Sequence, residues 1–374
     1  MKQKKTLAVL GCVIILLIAV GLVCYNLGKN HEAAYYQKEK ERNILLNRSD
    51  LDGLGAIEGT IYITGHSSPD SDTVCSSIAY ASLLQAMGYD AVPVVLGKIN
   101  HETEYILKTA GLETPQLLED AAGQNMILVD HSDYTQSVQG LKEGHIISII
   151  DHHGDGTVTT GNPIIYDARP IGATATIIWI RYRNYGIEPE KSIALALLGA
   201  ILSDTKNLQS ETVTAADREA VKTLSDQAGL SDVDAFYQEM FKASLSYEGM
   251  SDEEVYLSDY KEYEAGGRKY GIACVNAYDE KSAKALLDRM EKVMPSKPMS
   301  NGLDMAFAQI SIFHDDISVT YLLPSNAAAK EVLEQSFGQT AVFDGTAYRL
   351  EPGISRKKDL VPAITDVLES YPKE

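Results

Sequence analysis

The hydrophobic positions of this chain change their spacing along its length, and each change marks a different kind of element. From Leu7 to Cys24 apolar residues are nearly continuous, and no charged side chain stands between Lys5 and Lys29. About 20 helical residues at roughly 1.5 Å each reach across a hydrocarbon core of about 30 Å. This run therefore predicts a transmembrane helix forming an anchor over residues 1–28. Residues 29–57 are rich in Lys, Glu, Gln and Asn and predict a polar tether, helical or flexible. Lys2, Lys4 and Lys5 precede the span. By the positive-inside rule they place the chain in the cell membrane with its body on the extracytoplasmic side.

From Gly59 short β-branched runs alternate with helical patterns, the texture of a doubly wound α/β domain. Strands are predicted at Ile61 to Thr64, Ala91 to Leu96, Met126 to Val129 and Ile146 to Ile150. The last two are almost wholly apolar, as in parallel strands buried on both faces. Helical patterns cover Ser76 to Met87, Thr103 to Thr109, Ala173 to Tyr185, Lys191 to Leu202, Ala215 to Ala228 and Asp232 to Lys242. Small and polar residues from Ala243 to Met250 then read as a hinge. Beyond them, strands at Lys269 to Val275, Met305 to Phe313 and Ile317 to Leu323 accompany helices at Glu280 to Val293, Ala327 to Phe337 and Leu360 to Tyr371. The prediction is a doubly wound domain over residues 58–245 and a smaller α/β domain over 246–374.

Composition narrows the function. With 45% hydrophobic and 23% charged residues, the chain of 374 has apolar material for sizeable cores. The excess of 52 Asp+Glu over 33 Lys+Arg gives a formal charge of −19, which opposes sequence-independent binding of nucleic acid. An anionic substrate must then be held locally, by metal ions or a few placed cations. Four cysteines, two of them (Cys12 and Cys24) in the apolar run, form no disulfide framework.

In an open parallel sheet, ligands bind at the carboxyl ends of the strands. Here the first strand runs into Gly65-His66-Ser67-Ser68-Pro69-Asp70-Ser71-Asp72, and the run at Met126 ends in Asp130-His131. The run at Ile146 ends in Asp151-His152-His153, and the helix from Lys191 finishes at Ser203-Asp204. Clustered carboxylates repel unless cations neutralise them, and divalent ions do so while also accepting neutral imidazole. Oxygen donors with some imidazole suit Mn²⁺ or Mg²⁺ better than the thiolate sites of structural zinc. Two such ions about 3.5–4 Å apart can acidify a shared water and clamp phosphoryl oxygens. A lone Asp-His pair is usually an ordinary surface pair, and a lone buried histidine an ordinary core residue. It is the placement of all these motifs at successive strand ends that makes a metal centre the stronger reading.

These motifs resemble the DHH phosphoesterase superfamily, named for the triplet seen here as Asp151-His152-His153. Together with Ser203-Asp204-Thr205 and Ser355-Arg356-Lys357-Lys358, they are similar to the family II, manganese-dependent inorganic pyrophosphatases from about Gly59 to Ala363. The basic motif near the C-terminus marks the DHHA2-type second domain of that family and of related exopolyphosphatases. The resemblance implies a two-ion Mn²⁺ centre, with Co²⁺ or Mg²⁺ as substitutes and a further Mg²⁺ arriving with pyrophosphate. It implies His66, Asp70, Asp72, Asp130, His152 and Asp204 as metal ligands, with Asp130 bridging, and His153 as a hydrogen-bond donor or acid beside the phosphates. Lys261, Arg356 and Lys357 would bind phosphate from the second domain as it closes about the hinge, and Gln136 would line the same cleft. A homodimer is plausible on the same basis.

The sequence departs from the family at Ser68, at Ser132-Asp133 and at Gln209, where Asn, Asn-Glu and Lys are usual. Three activities follow in order of expectation. The first is pyrophosphate hydrolysis by a two-metal-activated hydroxide. The second is an exopolyphosphatase or other DHH phosphoesterase acting on a nucleotide. The third is an inactive, membrane-tethered sensor of phosphate ligands.

Overall fold

The computed structural model describes residues 2–52, 57–314 and 317–371, with side chains described outside 2–19, 24, 50–52, 313, 314 and 317. The chain divides into two compact units, Met1–Met240 and Phe241–Glu374.

The first unit opens with helix α1 (Lys2–Asp52) and then alternates strands and helices. Its strands are β1 (Ile61–Thr64), β2 (Ala91–Val95), β3 (Gln116–Leu117), β4 (Asn125–Val129), β5 (His145–Asp151) and β6 (Ile165–Ala168). They form one sheet in the order β3-β2-β1-β4-β5-β6, with every pairing parallel. The helices are α2 (Ser71–Ala86), α3 (His101–Ala110), α4 (Thr174–Tyr185), α5 (Lys191–Asp204), α6 (Ala215–Ala228) and α7 (Val233–Ser244), the last crossing into the second unit. Strand order reverses between β1 and β4, which is where a doubly wound sheet opens a crevice at its carboxyl edge.

The reasons lie in the residues. Strands β4 and β5 are apolar at nearly every position because helices cover both faces of the sheet. Helix α5 is apolar all round and is buried from Ile193 to Leu202. Its Gly199 admits Ile106 of α3, which a Cβ would meet at 2.9 Å. Helix α2 begins five residues before the predicted Ser76 because Asp70 caps it, accepting a hydrogen bond from Thr73 N at 3.0 Å.

The membrane expectation is corrected by this structure. Among the described residues no helix is long and apolar enough to cross a membrane. From Lys29 to Arg48 helix α1 carries the charged side chains expected of the polar tether. The side chains of the apolar run Leu7 to Cys24 lie outside the described residues, except those from Val20 to Val23. The expected membrane anchor and extracytoplasmic body are thus not borne out. The predicted tether is helical, and its end docks on the first unit. Arg48 Nε and Nη2 donate to Tyr185 O at 3.0 and 2.7 Å, satisfying a terminal carbonyl of α4. Beside it, Gly186 has φ +67°, and a Cβ there would meet Ile44 Cδ1 at 2.6 Å.

The second unit is built on a mixed sheet in the order β11-β12-β10-β9-β8-β7. Its strands are β7 (Tyr260–Ala265), β8 (Arg268–Ala277), β9 (Met305–His314), β10 (Ile317–Pro324), β11 (Val342–Phe343) and β12 (Tyr348–Leu350). Only β8 and β9 run parallel; the other neighbours are antiparallel. Helices α8 (Asp252–Leu257), α9 (Glu280–Val293), α10 (Lys297–Asn301), α11 (Ala327–Phe337) and α12 (Val361–Ser370) complete it. Strand β9 shows how the layers are specified. Ala306, Ala308, Ile310 and Ile312 pack with Leu286 and Met290 of α9, whereas Met305 and Phe307 pack with Leu333 of α11 and Ile364 of α12.

One buried carboxylate joins the start of α4 to the start of α6. Asp217 Oδ2 accepts from Gly172 N at 3.1 Å and from the Thr214 amide and hydroxyl at 2.7 Å each, while Oδ1 accepts from Thr176 Oγ1 at 2.6 Å. Removing it orphans several buried donors, so Asp217→Ala is expected to cost about 3 kcal/mol, read as a lower urea midpoint with an unchanged m-value. Wild-type stability in that variant would show that the junction is held by other contacts.

Candidate metal centre

Four chain segments meet where β1 and β4 diverge. Strand β1 passes into Gly65, where a Cβ would fall 2.2 Å from Thr73 Cγ2, so glycine lets the Thr73 side chain approach the strand end. The loop beyond supplies His66 and Asp70, and the first turn of α2 supplies Asp72, which is fully buried. Directly beyond β4 stands Asp130, a non-glycine residue with φ +62° whose amide donates to Ile150 O at 2.9 Å. Left-handed backbone at such a residue costs free energy and persists where the surroundings dictate it. Strand β5 ends in Asp151-His152-His153, and α5 ends at Asp204.

These side chains form two principal donor groups that share Asp130. His66, Asp70 and Asp130 make one, and Asp72, Asp130, His152 and Asp204 the other, with the ligand atoms of each group within 4.8 Å of one another. Asp130 turns one oxygen to each: Oδ2 lies 3.6 Å from His66 Nε2, and Oδ1 lies 3.4 Å from His152 Nε2. His66 Nε2 is 3.3 Å from Asp70 Oδ2, and His152 Nε2 is 3.2 Å from Asp204 Oδ2. All six residues predicted as ligands are thus brought together.

Like charge packed out of water makes the centre hold protons. Burial first, and then the charges of Asp130 and Asp204, push the Asp72 carboxyl well above the carboxylate range. Burial and the neighbouring Asp130 and Asp70 raise Asp204 as well. For His152, burial alone would lower the pKa, but the carboxylates of Asp130 and Asp204, with the charge on Asp72, push it up to about 12. A ring of acids that can ionise only by recruiting cationic imidazole is a set deficient in positive charge.

The donor atoms themselves fit a divalent ion. His152 Nδ1 faces Ile171 O at 3.1 Å, which assigns the N–H to that side and turns Nε2 inward. Nε2 is buried and faces the oxygens of Asp72, Asp130 and Asp204 at 3.2–4.0 Å without a well-aligned hydrogen bond to any of them. An imidazole nitrogen turned toward three carboxylates, with no thiolate, is the oxygen-rich set expected for Mn²⁺ or Mg²⁺.

A layer behind the acids holds them, and the sequence reading missed it. Thr174 N and Ala175 N, the opening amides of α4, donate to Asp72 at 2.6 and 2.9 Å. Ala173 gives α4 no side-chain cap, so Asp72 caps that helix from a different element. Asp130 accepts from Thr73 Oγ1 at 2.7 Å and Thr174 Oγ1 at 3.1 Å. The available signal was the run Gly172-Ala173-Thr174-Ala175-Thr176, a helix start without a capping residue of its own.

His153 is 56% exposed and faces an open cavity of about 350 Å³ that His66, Asp130, Asp133 and the predicted Gln136 also line. Asp151 Oδ1 accepts from the His153 amide at 3.0 Å and faces Nδ1 at the same distance, which raises the pKa of the ring. The other ring nitrogen is thereby left for the cavity.

In the second unit, described by itself, Arg356 opens a single π-helical turn, Arg356–Leu360, that leads into α12. Its Nη1 and Nη2 donate to Asp259 O and Oδ1 at 2.9 and 2.8 Å. Lys261 on β7 is exposed, as is Lys357. The charges of Arg356 and Lys261 both act on the Cys274 thiol, which burial nevertheless pushes up to about 11, so these two predicted cations share one patch.

Family models and relatives match both units of the chain. The model of the DHH family, N-terminal domain, matches residues 60–203, and that of the DHHA2 domain matches residues 238–367. The manganese-dependent inorganic pyrophosphatase of Bacillus subtilis is 36% identical over 310 residues, 82% of this chain and 98% of the relative. Its namesake from Methanocaldococcus jannaschii is 35% identical over 311 residues, 81% of this chain and 97% of the relative. A crystal structure described as a candidate family II inorganic pyrophosphatase from Methanococcus jannaschii superposes with a TM-score of 0.51 at 35% identity, over 83% of this chain and all of that one. On this identity and coverage, the chain belongs to the family II, manganese-dependent inorganic pyrophosphatases.

Proposed function

We propose that this protein hydrolyses inorganic pyrophosphate to two phosphates in a manganese-dependent reaction. The observation that carries the proposal is Asp130, one carboxylate presented by a strained backbone to two donor groups at the switch point of the sheet. His66, Asp70 and Asp130 would hold one ion, and Asp72, Asp130, His152 and Asp204 a second. When bound, such ions supply Lewis acidity, acidifying water and neutralising phosphoryl oxygens.

The remaining work falls to the chain. Thr174 and Ala175 fix the Asp72 oxygens through backbone amides, so the ligand set is oriented before any ion enters. Asp151 steadies His153 at Nδ1 and leaves Nε2 to hold a proton for the departing phosphate oxygen. Gln136 lines the same cavity and offers a neutral hydrogen-bonding group to a bound anion. Lys261, Arg356 and Lys357 are assigned to the phosphate oxygens, Arg356 through its planar fork, and closure of the second domain is the proposed means of delivering them.

Two measurements test the reading. Pyrophosphate hydrolysis with Mn²⁺ is expected for the full chain and is lost in Asp130→Ala, while His153→Gln lowers kcat by about 10²–10⁴-fold with Mn²⁺ affinity kept. Equal rates for the wild type and Asp130→Ala would refute the function. Because His152, Asp72 and Asp204 are all shifted toward their protonated forms in the metal-free centre, Mn²⁺ binding must expel protons. Affinity is therefore expected to rise with pH. The Mn²⁺ binding enthalpy should depend on the ionisation enthalpy of the buffer; an enthalpy identical in two such buffers would contradict the protonated centre.

A further inference from the structure

Glu102, the second residue of α3, belongs to neither donor group, yet it connects the elements that carry them. Its Oε2 accepts from Ser71 Oγ at 2.9 Å and from Ser203 Oγ at 2.7 Å. Ser71 stands between Asp70 and Asp72, and Ser203 directly precedes Asp204. A single oxygen thus couples the start of α2 to the end of α5, beside three of the six metal-ligand candidates. Thr103 Oγ1, 3.1 Å from Ser71 Oγ, adds a second contact from α3 at the same point.

Stability alone does not account for this carboxylate. It is partly buried, its charged neighbours include Asp70 and Asp204, and it has no ion-pair partner among the described residues. A carboxylate taken out of water without a cation is costly, and an apolar residue of similar size would pack there at less expense. What a carboxylate provides is acceptance without donation: both serine hydroxyls must point their protons at it, which fixes their rotamers and the backbone on which the neighbouring aspartates sit.

We infer that Glu102 is a positioning residue that sets the affinity of the centre for its divalent ions, by holding Ser71 and Ser203 and with them Asp70, Asp72 and Asp204. The inference rests on the metal-binding part of the proposed function and is tested without turnover. Titrating Mn²⁺ into the metal-free full-length protein, Glu102→Ala is expected to weaken binding about 10–100-fold, whereas Glu102→Gln, which keeps an accepting oxygen, stays within about threefold. Thermal unfolding of the metal-free variants is followed in parallel. A lower melting temperature for Glu102→Ala with wild-type Mn²⁺ affinity would make Glu102 a stability residue and overturn the inference. Glu102→Gln binding as weakly as Glu102→Ala would overturn it too, by assigning the effect to charge. Should Glu102→Ala fail to fold, Ser203→Ala decides: weakened Mn²⁺ binding supports the brace, and unchanged binding refutes it. Pyrophosphate turnover at saturating Mn²⁺ is scored separately, so an inactive wild type that still binds Mn²⁺ would reject the proposed function and leave this result standing.

Discussion

The mutual repulsion of Asp70, Asp72, Asp130 and Asp204 is the constraint on which the first unit depends. Four carboxylates converge at one sheet edge, two of them buried, and their charges act on one another. Without compensation the low-dielectric surroundings would favour protonation or expansion. The fold answers with directed dipoles: the amides of Thr174 and Ala175, the hydroxyls of Thr73, Thr174 and Ser76, and the helix start that Asp70 caps. These donors orient the oxygens but do not neutralise them. Divalent ions would supply the missing charge, which makes a collection so unfavourable for stability a good candidate metal centre.

Topology explains why the acids can converge. Only where strand order reverses do two adjacent strands, β1 and β4, send their following loops in different directions and leave room between them. Asp130 occupies the first position beyond β4, and its left-handed backbone turns the carboxylate into that room instead of along the strand. Thr73, reaching over Gly65, and Thr174, at the start of α4, grip it from two sides. The strain at Asp130 is thus sustained by the same contacts that aim it.

The sequence was most legible where one physical rule acted alone. Period-2 and continuous apolar runs located β1, β4, β5, β8, β9 and β10 within one or two residues, because burial on both faces leaves few alternatives. The six acidic and imidazole candidates were legible because each lies just beyond a strand's carboxyl end or at a helix terminus. What stayed hidden depends on partners distant in the chain. Thr174 bonds to Asp72 across 102 residues, and Glu102 to Ser203 across 101, and no local pattern encodes either. Strand β7 was missed because Tyr260–Ala265 is largely exposed along its length, so no apolar alternation marks it. The N-terminal run misled for the opposite reason: apolar length was read as a span, whereas among the described residues no helix is long and apolar enough to cross a membrane, and α1 ends by docking Arg48 on α4.

The net charge of −19 takes on a different meaning once its members are located. Read as a bulk property, it argues against any phosphate ligand. Yet part of it is the candidate ion-holding centre itself, and the cations of the second unit are placed rather than abundant. Arg356 is held by two bonds to Asp259, so its fork keeps a fixed direction at little further entropic cost. Lys261 and Lys357 remain exposed as point charges. A mobile surface excess of lysine would attract anions of every length without selecting a geometry. A few fixed cations would instead discriminate by local charge density and not by the field of the whole protein.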